Sequence, residues 1–113
     1  MTDPDPIGQL QERLRRFAAN RDWERFHDPK NLIMALAGEA GELVEVLQWV
    51  DQAASRTAGQ DPVLGPRLGE EMADVFLYLL RLADVTGIDL VTAAHDKIVA
   101  NARRYPPLPG RED

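Results

Sequence analysis

Two long stretches of this chain repeat apolar residues at three- and four-residue steps, and each holds acidic residues inside the apolar stripe rather than opposite it. The first runs through Leu32, Leu36, Leu43, Val46, Leu47 and Val50; the second runs through Leu68, Met72, Val75, Phe76, Leu79 and Leu82. Both are helical spacings. A helix turns by about 100° per residue, which puts Leu32, Leu43 and Val46 within roughly 40° of Glu39, and Glu42 about 60° to the other side. Val75, Tyr78 and Leu82 lie within roughly 40° of Glu71, with Asp74 one turn on. Glu45 and Glu70 fall further round and read as solvated or as support behind the four carboxylates. A short loop between the two helices predicts antiparallel packing. Any fold that buries both stripes must therefore bring two E-x-x-[ED] pairs, four carboxylates, into one seam.

The rest of the chain reads as helical too. Ile7, Leu10, Leu14, Phe17 and Ala18 predict a first helix from about Ile7 to Asn20. A connector, RDWERFHDP, ends in Asp28 and Pro29, a good N-cap and N1 pair. The second helix is then expected from Pro29 to about Ala53. SRTAGQDP is rich in turn formers, and the third helix starts after Asp61-Pro62 or at Pro66 and stops at Gly87. Asp89 caps a fourth helix carrying Leu90, Ala93, Ala94 and Ile98 and ending near Arg104. The expectation is an all-α four-helix domain over residues 1–105, with a flexible tail from 106 to 113. Strand-like alternation is hard to find.

Composition limits what such a chain can do. The 113 residues fit one domain with a small core, so self-association would help stability. A formal net charge of −6 disfavours binding a nucleic-acid polymer. With no cysteine, disulfide and thiol chemistry are excluded. The opening MTDPDPIG is acidic and Pro-rich without an apolar signal core, and no apolar run approaches the ~20 residues of a membrane span. A cytoplasmic protein with no membrane partner is expected.

Four carboxylates in a seam cannot all stay ionised unaided, because desolvation and mutual repulsion raise their pKa values. Cations are the remedy. Lys97, Arg103 and Arg104 sit on a different helix, which leaves divalent metal. Hard oxygen donors without histidine or cysteine favour Mg²⁺ or Mn²⁺. A di-iron carboxylate site wants Glu-x-x-His on two helices. Here His27 precedes its helix and His95 has no such glutamate, so that site is disfavoured. A single E-x-x-E is usually a solvated face; two on apolar faces of neighbouring helices weigh about evenly between a metal site and none.

NLIMALAGEAGELVEVLQW followed by EEMADVFLYLLRLA resembles the MazG-like all-α NTP pyrophosphohydrolase superfamily, whose E-x-x-E, spacer, E-x-x-D pattern matches Glu39, Glu42, Glu71 and Asp74. The flanks FAANRDWERFHDPKNL, Lys97, Asn101 and RRYP are similar to the dCTP pyrophosphatase branch. The resemblance spans roughly residues 17 to 106. It implies hydrolysis of a nucleoside triphosphate to a monophosphate and pyrophosphate, with dCTP or a modified dCTP the first substrate to consider and nucleotide-pool cleaning the role. It implies Mg²⁺ held by Glu39, Glu42, Glu71 and Asp74. Lys97 is implied at phosphate, with Asn101, Tyr78 and Arg104 nearby, and Trp23 and Trp49 against the base. His27 either binds near the base or fixes the connector. The family also implies a homo-oligomer, a dimer or a tetramer. At Leu14 the branch carries a histidine directed at the base, which leucine cannot replace as a hydrogen-bonding group; base choice is affected, hydrolysis is not. Gly38 and Gly41 permit a close helix approach or mark loose packing. The non-catalytic alternative is an oligomeric helical scaffold or nucleotide sensor.

Overall fold

A computed structural model describes residues 5–113; residues 1–4, the start of the expected domain and most of its acidic leader, lie outside the described residues. Among the described residues every regular element is helical. Helix α1 spans Pro6–Asn20, α2 Pro29–Leu47, α3 Gln52–Ser55, α4 Leu64–Thr86 and α5 Leu90–Arg104, with single 3-10 turns at Glu24–Phe26 and Ala58–Gln60. No helix among these residues is long and apolar enough to cross a membrane.

The caps are largely those the sequence signals. Asp28 accepts from Asn31 N–H at 2.9 Å and Pro29 opens α2. Asp89 accepts from Thr92 N–H at 3.0 Å at the start of α5. Asp61 accepts from the N–H groups of Val63 and Leu64 at 2.8 and 2.9 Å, so α4 begins at Leu64, between the two expected starts. Gly87 closes α4 in the left-handed region, φ 71°, while Ile88 N–H donates to the Ala83 carbonyl at 3.0 Å. That six-to-one bond is the Schellman stop, and glycine adopts its backbone without strain.

The second helix is shorter than its apolar stripe suggests. It ends at Leu47, not near Ala53, and Val50 N–H turns back to the Leu47 carbonyl at 2.9 Å. Asp51 then accepts from Ala54 N–H at 2.8 Å and starts α3. The capping carboxylate offers the backbone an alternative to continued helix, and that alternative prevails. Trp49 consequently lies in a turn rather than on the carboxylate helix, and it is 90% exposed.

Helix α4 is the hub, packing on α2, on α1 and on the 3-10 turn at Ala58–Gln60. Leu32 and Val46 from α2, Ala18 from α1, Ala58, and Leu80 and Ala83 from α4 form the buried core. Helices α2 and α4 run antiparallel: His27, just ahead of α2, meets Arg81 near the end of α4, while their midpoints meet at Glu39, Glu42, Glu71 and Asp74. The close backbone approach is at Gly65, where a Cβ would stand 2.7 Å from the Gly59 carbonyl oxygen. Among the described residues nothing lies within 4 Å of a would-be Cβ on Gly38 or Gly41, so neither serves a close approach there.

The last helix does not complete a core within one copy. No residue of α5 is buried, and Val91, Ile98 and Val99 face solvent, Ile98 at 66% exposure. The Gly87 stop leaves two residues before α5, and the chain swings away from α1, α2 and α4. The Cα radius of gyration, 17.5 Å, exceeds the roughly 13 Å of a compact domain of about 100 residues.

Candidate metal and nucleotide site

The seam between α2 and α4 holds the four acidic side chains. Glu39, Glu42, Glu71 and Asp74 each present a carboxylate oxygen, and these oxygens all lie within 4.8 Å of one another. Glu39 and Glu71 are half-buried, Glu42 and Asp74 exposed. Helical spacing delivers this arrangement: three-residue steps place each pair on one face, and antiparallel packing sets the pairs opposite each other. Desolvation pushes the Glu39 carboxyl above its ordinary range, and its neighbours Glu42, Asp74 and Glu71 push it further. Glu71 rises for the same reason, with Glu42, Asp74 and Glu70 adding to the desolvation. Glu39 Oε2 and Glu71 Oε2 are shielded from solvent yet have no hydrogen-bond partner. Buried polar atoms are ordinarily satisfied. Two orphaned carboxylate oxygens among four converging acids fit a divalent cation with oxygen ligands.

Beside this cluster a cavity of about 220 Å³ is lined by Leu14, Phe17, Trp23, His27, Asp74, Leu77, Tyr78 and Arg81, with Ala18 at its base. Complete small-molecule pockets run to roughly 300–1,000 Å³, so this one has room for a flat ring rather than a whole nucleotide. Its aromatic walls are ordered against each other. Phe17 and Trp23 meet edge to face at 5.4 Å between centroids, and Trp23 and His27 at 6.4 Å. Asp74 belongs to both the cavity and the carboxylate cluster.

The structure thus brings Trp23, His27, Tyr78 and the four carboxylates into one region and leaves others outside it. Trp49 projects from its turn, and Lys97, Asn101 and Arg104 stand exposed on α5. Asn101 borders a separate groove with Ile98, Ala102, Arg103 and Tyr105, and Arg104 stacks over Tyr105 at 5.3 Å. Arg81 is the residue that sequence reasoning passes over. It is buried to 8% exposure, and its Nε donates to His27 Nδ1 at 3.0 Å. The available signal is a lone arginine in the apolar run LYLLRLA.

Among the described residues, fold and site together define an all-helical protein with an acidic seam and an aromatic cavity beside it. Residues 27–108 match the MazG nucleotide pyrophosphohydrolase domain, and the chain belongs to that family. It is 44% identical over 104 residues to dCTP pyrophosphatase 1 of Homo sapiens and 43% identical to that of Rattus norvegicus, covering 91% of this chain in each case. The chain spans 61% of the length of these relatives. A crystal structure of a pyrophosphatase from Archaeoglobus fulgidus superposes with a TM-score of 0.84 at 34% identity, covering 95% of this chain and 98% of that one.

Proposed function

We propose that the chain hydrolyses a nucleoside triphosphate to the monophosphate and pyrophosphate in a Mg²⁺-dependent reaction, with dCTP or a modified dCTP as its substrate and nucleotide-pool cleaning as its role. The observation that carries this reading is Asp74, common to the carboxylate cluster and to the ring-sized cavity. A base seated against Trp23 directs its phosphates toward the acidic seam. Stacking on an indole contributes about 1–3 kcal/mol and tolerates many bases. The names of the similar proteins point the same way.

Glu39, Glu42, Glu71 and Asp74 would hold the cation, with Mn²⁺ a workable substitute. Held there, such an ion would supply charge neutralisation for the phosphate tail and polarisation of phosphorus. One water is consumed as the α–β phosphoanhydride bond breaks, and a seam carboxylate accepts the proton that the water gives up. Phe17, Trp23 and Tyr78 exclude water from the base, and His27 offers a polar edge. Lys97, Asn101 and Arg104 are proposed to meet the phosphates, and Trp49 the base, from a neighbouring copy. The bare face of α5 needs such a copy, and association of two or four chains completes a four-helix arrangement that one chain lacks. Residues 1–105 are proposed as the domain and 106–113 as a tail, and the compartment as the cytoplasm.

The test is incubation with each deoxynucleoside triphosphate and Mg²⁺, with products resolved. Monophosphate plus pyrophosphate, lost in Glu42→Ala, is expected. Diphosphate plus inorganic phosphate overturns the reaction assigned. Tight nucleotide binding without turnover overturns catalysis in favour of a nucleotide sensor.

A further inference from the structure

The only charged side chain in the buried core of the described residues is Arg81. Burying a guanidinium is costly unless its donors are used. Two of them are: Nε donates to His27 Nδ1 at 3.0 Å and Nη1 faces Asp84 Oδ2 at 3.5 Å. Asp84 Oδ2 in turn lies 3.5 Å from Arg15 Nε. The chain of contacts links α1, α4 and the connector behind one wall of the aromatic cavity.

This contact decides which nitrogen of His27 carries hydrogen. A guanidinium has donors and no acceptor, so its partner nitrogen must present a lone pair. His27 Nδ1 is therefore bare, and in the neutral ring the hydrogen sits on Nε2. With Nδ1 turned to Arg81, Nε2 is the edge of the ring left for a ligand, and no other protein group among the described residues bonds it. Protonating the ring would set an N–H against the Arg81 N–H. Desolvation and the Arg81 charge hold His27 below its ordinary range, while Glu24 pulls the other way. Asp74 across the cavity, the Asp84–Arg15 pair behind Arg81 and Arg21 over the Phe17 ring are further charges on the packed elements. Phe17, Leu14 and Leu77 supply no competing donor.

Resting on the nucleotide-hydrolase reading above, we propose that Arg81 is a positioning residue for base selection, locking His27 as a neutral Nε2–H donor that favours bases with a hydrogen-bond acceptor on that edge. Leu14 and His27 both line the cavity, and of the two only His27 has a hydrogen-bonding edge. Arg81 touches no reacting atom; it acts through His27.

Imidazole nitrogen NMR on labelled, ligand-free protein tests the first half, with His95→Gln leaving His27 as the one remaining histidine. A bare Nδ1 and a protonated Nε2 at neutral pH are expected; hydrogen on Nδ1, or on both nitrogens, overturns the proposal whether or not the protein turns over nucleotide. The second half compares a pyrimidine deoxynucleoside triphosphate with one whose base is an apolar isostere. Arg81→Met should raise KM for the natural base about tenfold, the worth of one hydrogen bond, with kcat and the KM for the isostere little changed. Arg81→Lys should restore part of the difference. Equal losses on both substrates, or a fall in kcat with KM unchanged, assign Arg81 a purely structural role and overturn base selection. If Arg81→Met does not fold, the wild-type ratio of KM for the two bases decides: a ratio near one overturns the proposal. Absence of turnover with every triphosphate sinks the hydrolase reading instead, while the tautomer remains readable.

Discussion

Replacing Glu39 with glutamine keeps the side chain's shape and removes one of four charges from the seam. In metal-free protein that charge is a liability, because Glu39 lies among Glu42, Glu71 and Asp74 with a shielded, unpartnered oxygen. Metal-free Glu39→Gln should therefore melt above metal-free wild type. With Mg²⁺ the order reverses. At a concentration one hundred times Kd, binding stabilises the wild type by about 2.7 kcal/mol, about 10 °C for a chain near 100 residues. Loss of a direct ligand should weaken binding at least about a hundredfold, since even outer-shell changes cost about 10–100-fold. At the same Mg²⁺ concentration about 0.4 kcal/mol then remains, under about 2 °C. Thermal melting by circular dichroism, with chelator and with Mg²⁺, reads both effects. Equal Mg²⁺ shifts in the two proteins, or a metal-free variant less stable than wild type, would refute the metal seam.

Three further outcomes follow from the same geometry. Metal-free, Glu39 and Glu71 keep their protons to higher pH when folded than when unfolded, so stability should climb as pH falls through the raised values and level off below the ordinary carboxylate range; a melting temperature that drops from neutral to mildly acidic pH in chelator contradicts this. The caps Asp61 and Asp89, held below their ordinary range by backbone N–H donors, act oppositely and only in stronger acid. Gly38→Ala and Gly41→Ala should each stabilise α2 by about 0.5–1 kcal/mol in urea unfolding, because a Cβ there meets nothing within 4 Å; a loss of stability would mean that this face is covered in solution. Trp23→Ala should weaken binding of a non-hydrolysable dCTP analogue by about 1–3 kcal/mol in calorimetry, and an unchanged Kd would remove the indole from the base site.

The carboxylate seam was legible because helical register is rigid. Once Leu32 and Val46 are taken as core, the direction of Glu39 follows, and Glu71 follows from Val75 and Leu82. The end of α2 was not legible, since Leu47 and Val50 continue the apolar period straight through the stop; only the Asp51 cap, a local competitor, interrupts it. Arg81 was hidden for a different reason. Its partner His27 is 54 positions away along the chain, and nothing local to LYLLRLA says which loop returns to meet it. Leu90, Ala93, Ala94 and Ile98 mark the helical period of α5, but periodicity does not say whether the cover for that face is this chain or another.

A helix with its greasy side turned to water has a consequence for dilution if copies of the chain cover it. If neighbouring copies supply Lys97, Asn101 and Arg104 to the phosphates, each chain's turnover depends on how many of its own kind surround it. Specific activity would then fall as the protein is thinned out, and scarcity alone would throttle the proposed turnover without any dedicated inhibitor.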